Sequence, residues 1–506
     1  MLLILAGISI QMLTGDNGIL KKTGEAKEKT VQSGNLEQLT LVANDWETEK
    51  LTKPNTNIET YLEKQVVSSN IDEYESIGDG LYIIKKGDQE LTLDDGKVYV
   101  WDGSASTELR GSGTEDDPFL IKNGADLAFL SNAVNNGGLK YTDKNGTQRL
   151  YQFACYKQIK DICLNDISDY EMWDKDDYDK TDLNEYIFQE KIFCGGYDGN
   201  NHTITGLYIN QPTKSNLGLF SELYRTTSNY KITDCYVRNI NLKNLLIIGK
   251  SNIGSIGGRS TSTEISECNV SGKIISKNEG WYYGGIVGNT TKYGDIQNKI
   301  LGCKSSVTIT TTGCFVGGIL GYTWNDALIE NCENTGNITA QQSVGGIGGC
   351  TAKATVRDCN NSGNLYNCSG VTTSLYYFGG ISGQTDGGND IQARIERCNN
   401  SGSIFINGNQ NDEHFVLDIG GIAGRAFRTV IINSNNSGNI TINARLKESD
   451  SYSRGFGGIL GEGGTNNENA PVIANCINSG TIRMMVNSIP TVGNIIGTGE
   501  YKTSEE

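Results

Sequence analysis

Two short blocks alternate along the chain, and their recurrence constrains the fold more than any other feature. The first is Gly-Gly-Ile-x-Gly, at Gly284–Gly288, Gly317–Gly321, Gly345–Gly349, Gly379–Gly383, Gly420–Gly424 and Gly457–Gly461, with looser copies at Gly254–Gly258 and Gly218–Phe220. The second is Ile-x-x-Cys-x-Asn-x-Gly-x-Ile, at Ile329–Ile338, Val356–Leu365, Ile395–Ile404, Ile431–Ile440 and Ile473–Ile482. Ile265–Ile274 fits with Val270 in place of the Asn. Eight copies fall between about 218 and 482. A period of roughly 20–50 residues marks a solenoid or a propeller. Each block is short, β-branched and bounded by Gly or Asn, which is strand-and-turn chemistry. Neither Leu-x-x-Leu-x-Leu nor Trp-Asp recurs with the repeat, so a leucine-rich horseshoe and a WD-type propeller are excluded.

The expected architecture is mainly β: a right-handed parallel β-helix with about three short strands per coil and like residues stacked ~4.8 Å apart. From Cys332 the period of two runs Cys332, Asn334, Gly336, Ile338, one face of a strand. Ile329 and Cys332 are three apart, so a bend must lie between them. The expected structural ladders are Cys235, Cys268, Cys303, Cys332, Cys359, Cys398 and Cys476, with Ser434 at the skipped place, and Asn334, Asn361, Asn400, Asn436 and Asn478. Two residues after the Asn stand Gly336, Gly363, Gly402, Gly438 and Gly480, with Gly272 in the same place, where a positive φ or a close backbone approach is required. Seven of the thirteen cysteines stand in the repeat register and, with no Cys-x-x-Cys pair in the chain, read as small buried apolar residues rather than a disulfide or zinc framework.

These blocks resemble the GLUG-type repeats of bacterial surface proteins. Gly111-Ser-Gly-Thr-Glu-Asp-Asp-Pro-Phe-Leu-Ile121 resembles the segment that leads into such repeats, with Leu127, Leu130 and Val134 at the spacing of a capping helix. Tyr197 to Leu207 resembles the family's first coil. The resemblance spans roughly 111–499 and implies an extracellular β-helical architecture, without implying an activity. The apolar run Leu2–Ile10, then Leu13-Thr-Gly-Asp-Asn-Gly-Ile19 and Ala26–Thr30, resembles the start of type IV pilin-like proteins of Gram-positive bacteria. That implies a membrane anchor or a filament-packing helix at Met1–Leu13, although 13 residues fall short of the ~20 that span a bilayer. Leu36, Leu39, Ala43 and Trp46 continue an amphipathic stripe, and Ile71 to Trp101 reads as a small strand-rich module with Asp95-Gly96 as a hairpin turn.

The organisation expected is therefore a pilin-like helical region at 1–68, a small β module and linker at 69–110, a capping segment at 111–210, the repeats at 211–499 and a tail at 500–506. Lys+Arg 43 against Asp+Glu 59 gives a net charge of −16, which excludes nucleic acid as a partner and attraction to anionic membranes through charge. Two histidines, His202 and His414, leave little room for histidine-based catalysis or zinc chemistry. No His-Glu-x-x-His motif occurs, so the metallopeptidase signature that accompanies similar repeats in immunoglobulin A-cleaving enzymes is not in these residues. The acidic run Asp174–Asp182 suggests calcium, but Tyr178 falls where an oxygen ligand is wanted, and a solvated loop is the favoured reading. No carboxylate pair stands out among Glu267, Glu330, Asp358 and Glu396, which shift place from coil to coil.

The candidate binding residues are aromatic: Trp281, Tyr282, Tyr283, Trp324 and, two rungs on, Tyr376 and Tyr377 followed by Phe378. Such platforms bind sugar rings or proteins, or equally staple coils together. The expectation is a non-enzymatic surface or secreted protein without cofactor, an adhesin or filament-associated scaffold whose partner is a glycan or protein ligand, pilin-like subunits or a membrane. The alternative is a carbohydrate-active β-helix lyase or hydrolase.

Overall fold

In the computed structural model, residues 19–136, 138–143, 145–185, 192–226, 234–368, 374–388, 391–408, 415–416, 418–444, 455–464, 468–485 and 491–503 are described. Met1–Leu13 and His414 lie outside them. The chain divides into two compact units, Met1–Tyr99 and Val100–Glu506.

In the first unit, α1 (Ile19–Thr52) and α2 (Ile58–Val67) accompany an antiparallel meander of β1 (Glu73–Gly78), β2 (Leu81–Lys86) and β3 (Gln89–Asp94). Asn57 starts α2 by accepting bonds from the amides of Glu59 (2.7 Å) and Thr60 (3.3 Å). The buried face of α1 is Leu39, Val42 and Trp46, which join Tyr61, Leu62, Ile84 and Leu93 in one core. Leu36 stands outside that face, 44% exposed, and Val42 fills the stripe instead. The hairpin turns are Asp79-Gly80 and Gly87-Asp88. Asp95-Gly96 follows β3, where the Asp95 amide closes back on the Gly80 carbonyl (2.8 Å). Among the described residues no helix is long and apolar enough to cross a membrane.

The second unit is a parallel solenoid. It opens with β4 (Phe119–Ile121) and α3 (Gly124–Asn135), whose Leu127, Leu130 and Val134 are buried in the same core as the coils. Four sheets then wind together, each strand pairing in parallel with its counterpart one coil later. One coil shows the order: Ala327–Glu330 in sheet I, Glu333–Asn334 and Ile338–Ala340 in sheet II, Gln342–Gly345 in sheet III, Gly348–Thr351 in sheet IV. That coil has five stretches rather than three, because there is a fourth sheet and because sheet II is interrupted at the Gly after the Asn. Ile265, Ile300, Ile329, Val356, Ile395, Ile431 and Ile473 lie in register in sheet I. At the Gly-Gly-Ile corner each Ile amide donates to the Ile one coil on, as in Ile319 to Ile347 and Ile347 to Ile381 (3.0 and 2.9 Å). The bend between Ile and Cys is one residue in the left-handed region: Glu267, Gly302, Asn331, Asp358, Arg397, Asn433 and Asn475, φ +50° to +62°.

Cys268, Cys303, Cys332, Cys359, Cys398, Ser434 and Cys476 form a column, with backbone bonds such as Asn360 N to Cys332 O (2.9 Å) and Asn399 N to Cys359 O (3.0 Å) repeating along it. Cys235 does not belong to it. The amide of Asn269 donates to Ile240 (2.8 Å), so Ile240 holds that place, while Cys235 precedes its strand and donates to the Phe193 carbonyl (3.4 Å). All thirteen cysteines are free thiols. The asparagines bond in series, Asn334 to Asn361, Asn361 to Asn400 and Asn400 to Asn436 at 2.8 Å, then Asn436 to Asn478 at 2.9 Å. Each also donates to the carbonyl of the Gly two residues on, at 2.9–3.1 Å. Opposite them stands the second Gly of each Gly-Gly pair: a Cβ on Gly318, Gly346, Gly380 or Gly421 would come within 2.2–2.3 Å of the facing Asn. The Gly after each Asn is required by close approach: a Cβ on Gly363, Gly402 or Gly438 would sit 2.0 Å from the Gly carbonyl of the preceding coil. Gly272 alone of that set has a positive φ, +142°. Asn494, in the Gly position of the last coil, accepts from Asn478 (2.9 Å) and ends the ladder.

Candidate functional site

The residue two before each first Gly of the Gly-Gly-Ile block is left-handed in successive coils: Asn216, Asn252, Tyr282, Phe315, Ser343, Tyr377 and Asp418, φ +33° to +72°. A β-carbon-bearing residue there costs on the order of 1–2 kcal/mol. The twist swings each side chain away from the period-two alternation of sheet III and onto a column of sheet IV, whose register runs Arg259, Asn289, Tyr322, Cys350, Gln384, Arg425, Glu462. The two columns meet in a seam along the solenoid.

In the middle of the seam lies an aromatic cluster. The Tyr282 ring is 4.5 Å from Tyr322, 5.5 Å from Phe315 and 6.2 Å from Trp281, and Phe315 is 5.2 Å from Tyr322. Trp281 is 58% exposed, while Tyr282, Phe315 and Tyr322 are half-buried. Burial raises the phenol pKa of Tyr282, and pushes that of Tyr322 up to about 12, so both stay neutral donors at physiological pH. Tyr283 does not join them. It is fully buried in the core, its hydroxyl bonded to the Lys250 carbonyl and to Ser276 (3.1 Å). Trp324, 43% exposed, lies on the stretch that follows sheet IV.

Tyr376 and Tyr377 lie three rungs from Trp281, not two, since Trp281, Cys314, Gln342 and Tyr376 are successive partners. Their surroundings are different: the Arg425 guanidinium stands 5.2 Å from the Tyr377 ring and 4.3 Å from Phe427, and donates to the Tyr377 hydroxyl (3.0 Å). Arg425 also pairs with Glu462 (2.9 Å). Beside them is Asp418, 2% exposed, with its carboxylate accepting from the Gly455 amide (3.2 Å). Burial, then the Glu462 charge, pushes the Asp418 carboxyl up to about 8. This Asp418–Glu462 pair on adjacent coils went unnoticed in the sequence, as did Phe315, Tyr322 and Arg425. Aligning the position two before each Gly-Gly would have brought Phe315 and Asp418 forward.

The acidic run at 174–182 is held by lysines from sheet II and the stretch after it. Lys273 reaches Asp174 (3.3 Å) and Glu171 (3.2 Å), and Lys277 reaches Asp176 (2.5 Å). Tyr178 bonds Asp169, and Trp173 is buried against Tyr170 and Tyr208. Among the described residues no group of three or more His, Cys, Asp or Glu could hold a metal. His202 pairs with Asp161 (3.2 Å) on the surface.

The GLUG motif family matches residues 313–339. Halomucin of Haloquadratum walsbyi is 26% identical over 226 residues, covering 44% of this chain and 2% of that protein. An immunoglobulin A1 protease of Streptococcus sanguinis is 27% identical over 239 residues, covering 38% of this chain and 12% of that protein. A solved structure of a candidate immunoglobulin A1 protease from Bacteroides ovatus is similar at 19% identity and a TM-score of 0.39, covering 58% of this chain and 79% of that one. The chain thus spans no more than about an eighth of the length of these two curated relatives.

Proposed function

We propose that this chain is a surface or secreted, non-enzymatic β-helical protein that acts by binding, as an adhesin or a filament-associated scaffold. The observation that carries the reading is the cluster of Trp281, Tyr282, Phe315 and Tyr322, a rigid aromatic surface that needs no cofactor and loses little conformational entropy on contact. Similarity to halomucin and to immunoglobulin A1 proteases supports an extracellular setting. The packing of α1 on a small antiparallel meander supports the pilin-like reading of the first unit, in which Met1–Leu13 anchors or packs into a filament. A glycan and extracellular-matrix array tests the proposal, run with the wild type and a Trp281→Ala/Tyr282→Ala variant. Loss of binding in the variant supports it, and unchanged binding removes the aromatic cluster as the contact. Tyr283 is left intact because its removal would open the core.

The second reading, a carbohydrate-active enzyme, is favoured by one observation, the convergence of Asp418 and Glu462 with Arg425 on neighbouring coils. Both carboxylates are buried, at 2% and 8% exposure, which argues for a structural role. Turnover of a polysaccharide by the wild type and its abolition in Asp418→Asn would establish the enzyme instead.

A further inference from the structure

Sheet II turns a different face outward. Where Asn361, Asn400 and Asn436 point inward, the residues on either side of each point out: Asn360, Asn399 and Asn435 in one column, and Ser362, Ser401 and Ser437 in the next, all exposed. Over these three coils, 360–367, 399–407 and 435–443, the sheet carries no charged residue, in a chain of net charge −16. The same two columns continue toward the first coils as a shallow trough of about 330 Å³, between Asn269 and Lys304 on one side and Ser271 and Ser306 on the other. Lys304 there pairs with Glu333 (3.5 Å), leaving Lys243 as the remaining charge of its lining.

The polar groups of this face are already oriented. The Asn399 amide donates to Asn360 (3.0 Å) and the Asn435 amide to Asn399 (3.2 Å), so each keeps a second N–H for solvent. The hydroxyls of Ser306, Ser401 and Ser437 all donate to a backbone carbonyl of the preceding coil (3.3 Å each), which leaves their lone pairs outward as acceptors. Amide donors and hydroxyl acceptors therefore repeat side by side at the ~4.8 Å rung spacing. Farther along the same sheet, the Tyr366 and Phe405 rings are stacked at 5.2 Å with 11° between their planes. A surface of fixed, uncharged donors and acceptors beside flat aromatic rings fits a polymer that is itself uncharged, rich in hydroxyls and regularly repeating. An anionic polymer would be repelled by the chain as a whole, and a cationic one would find no carboxylate on the sheet II stretches 360–367, 399–407 and 435–443.

We infer that the outer face of sheet II is a binding groove for an extended neutral polysaccharide lying along the solenoid axis. The inference deepens the binding function proposed above, on a face separate from the aromatic seam.

Affinity electrophoresis in native gels tests it, with the neutral polymers dextran, galactomannan and mixed-linkage β-glucan, and the anionic polygalacturonate and chondroitin sulfate. The protein is expected to be retarded by at least one neutral polymer. A Ser401→Asp/Ser437→Asp variant, or Asn399→Lys if that variant does not fold, is expected to weaken the retardation tenfold or more, and Trp281→Ala/Tyr282→Ala is run beside it to separate the two faces. No retardation by any neutral polymer, or retardation by the anionic ones alone, overturns the inference. Retardation lost in the Trp281/Tyr282 variant and kept in the face variants overturns it while upholding the aromatic cluster as the contact. Self-association that the face variants abolish, with no response to glycan, makes the face a contact between copies and overturns it as well.

Discussion

Replacing Asn400 by Ala removes the middle of the inner ladder. Its amide donates to Gly402 O (2.9 Å) and to Asn436 Oδ1 (2.8 Å), and its oxygen accepts from Asn361 (2.8 Å). Three buried bonds at about 1 kcal/mol each, plus a small void against Gly380 and the stranded Gly402 carbonyl, give a loss of roughly 3–4 kcal/mol. Asn436 still accepts from the Gly438 amide (3.1 Å) and Asn361 still donates to Gly363 (3.0 Å), so the loss stays near that value rather than spreading along the ladder. Asn399→Ala is the control: one residue earlier, exposed, with its bonds in water, it should cost about 0.5 kcal/mol or less. Urea unfolding followed by circular dichroism measures both, and hydrogen exchange on a peptide covering 393–407 localises the effect. If the two variants fall within about 0.5 kcal/mol of each other, the inner ladder does not hold the coils together as argued.

Gly380→Ala should be at least as damaging, because its Cβ would lie 2.1 Å from Gly421 O and 2.3 Å from Asn400, and neither backbone nor ladder can yield; thermal melting checks this. Cys398→Ser should cost about 1 kcal/mol or less by the same melt, since Ser434 already stands in that column, accepting from the Cys398 amide (3.1 Å) and donating to Ile432 O (2.9 Å). In the native protein a thiol reagent should label the half-buried Cys163, Cys314 and Cys476 before the fully buried Cys268, Cys303, Cys359 and Cys398, as read by mass spectrometry. Asp418, raised to about 8, contributes most favourably below its unfolded value near 3.8 and loses that contribution as pH rises toward 8. Asp418→Asn, facing Glu462, Arg425 and Tyr377, should therefore gain stability relative to wild type across that window, by several kcal/mol at its upper end; equal urea midpoints at pH 5 and pH 8.5 would count against it.

The coil register was legible where identical residues stack for a physical reason. Asn334, Asn361 and Asn400 repeat because an amide bonds its own kind one rung away, and the facing glycines repeat because that amide leaves no room for a Cβ. Cys235 was misplaced because its column accepts any compact apolar residue, and Ile240 fills it. The aromatic run Trp281-Tyr-Tyr283 reads as one patch in sequence, yet strand alternation sends Tyr283 inward, and a left-handed φ turns Tyr282 toward Tyr322. Asp418 and Glu462 stand 44 residues apart on different sheets, and only the register between those sheets brings them together. In the first unit, Asp79-Gly80 carried the same turn signal as Asp95-Gly96, and the strand lengths decided between them.

The central claim, that each coil lies directly on the one before, is tested by nuclear Overhauser contacts between isoleucine δ-methyl groups in a deuterated, methyl-labelled sample. Ile319, Ile347, Ile381, Ile422 and Ile459 should give cross-peaks only in that order, nearest coil to nearest coil. Contacts that skip coils, or none between Ile347 and Ile381, would contradict it.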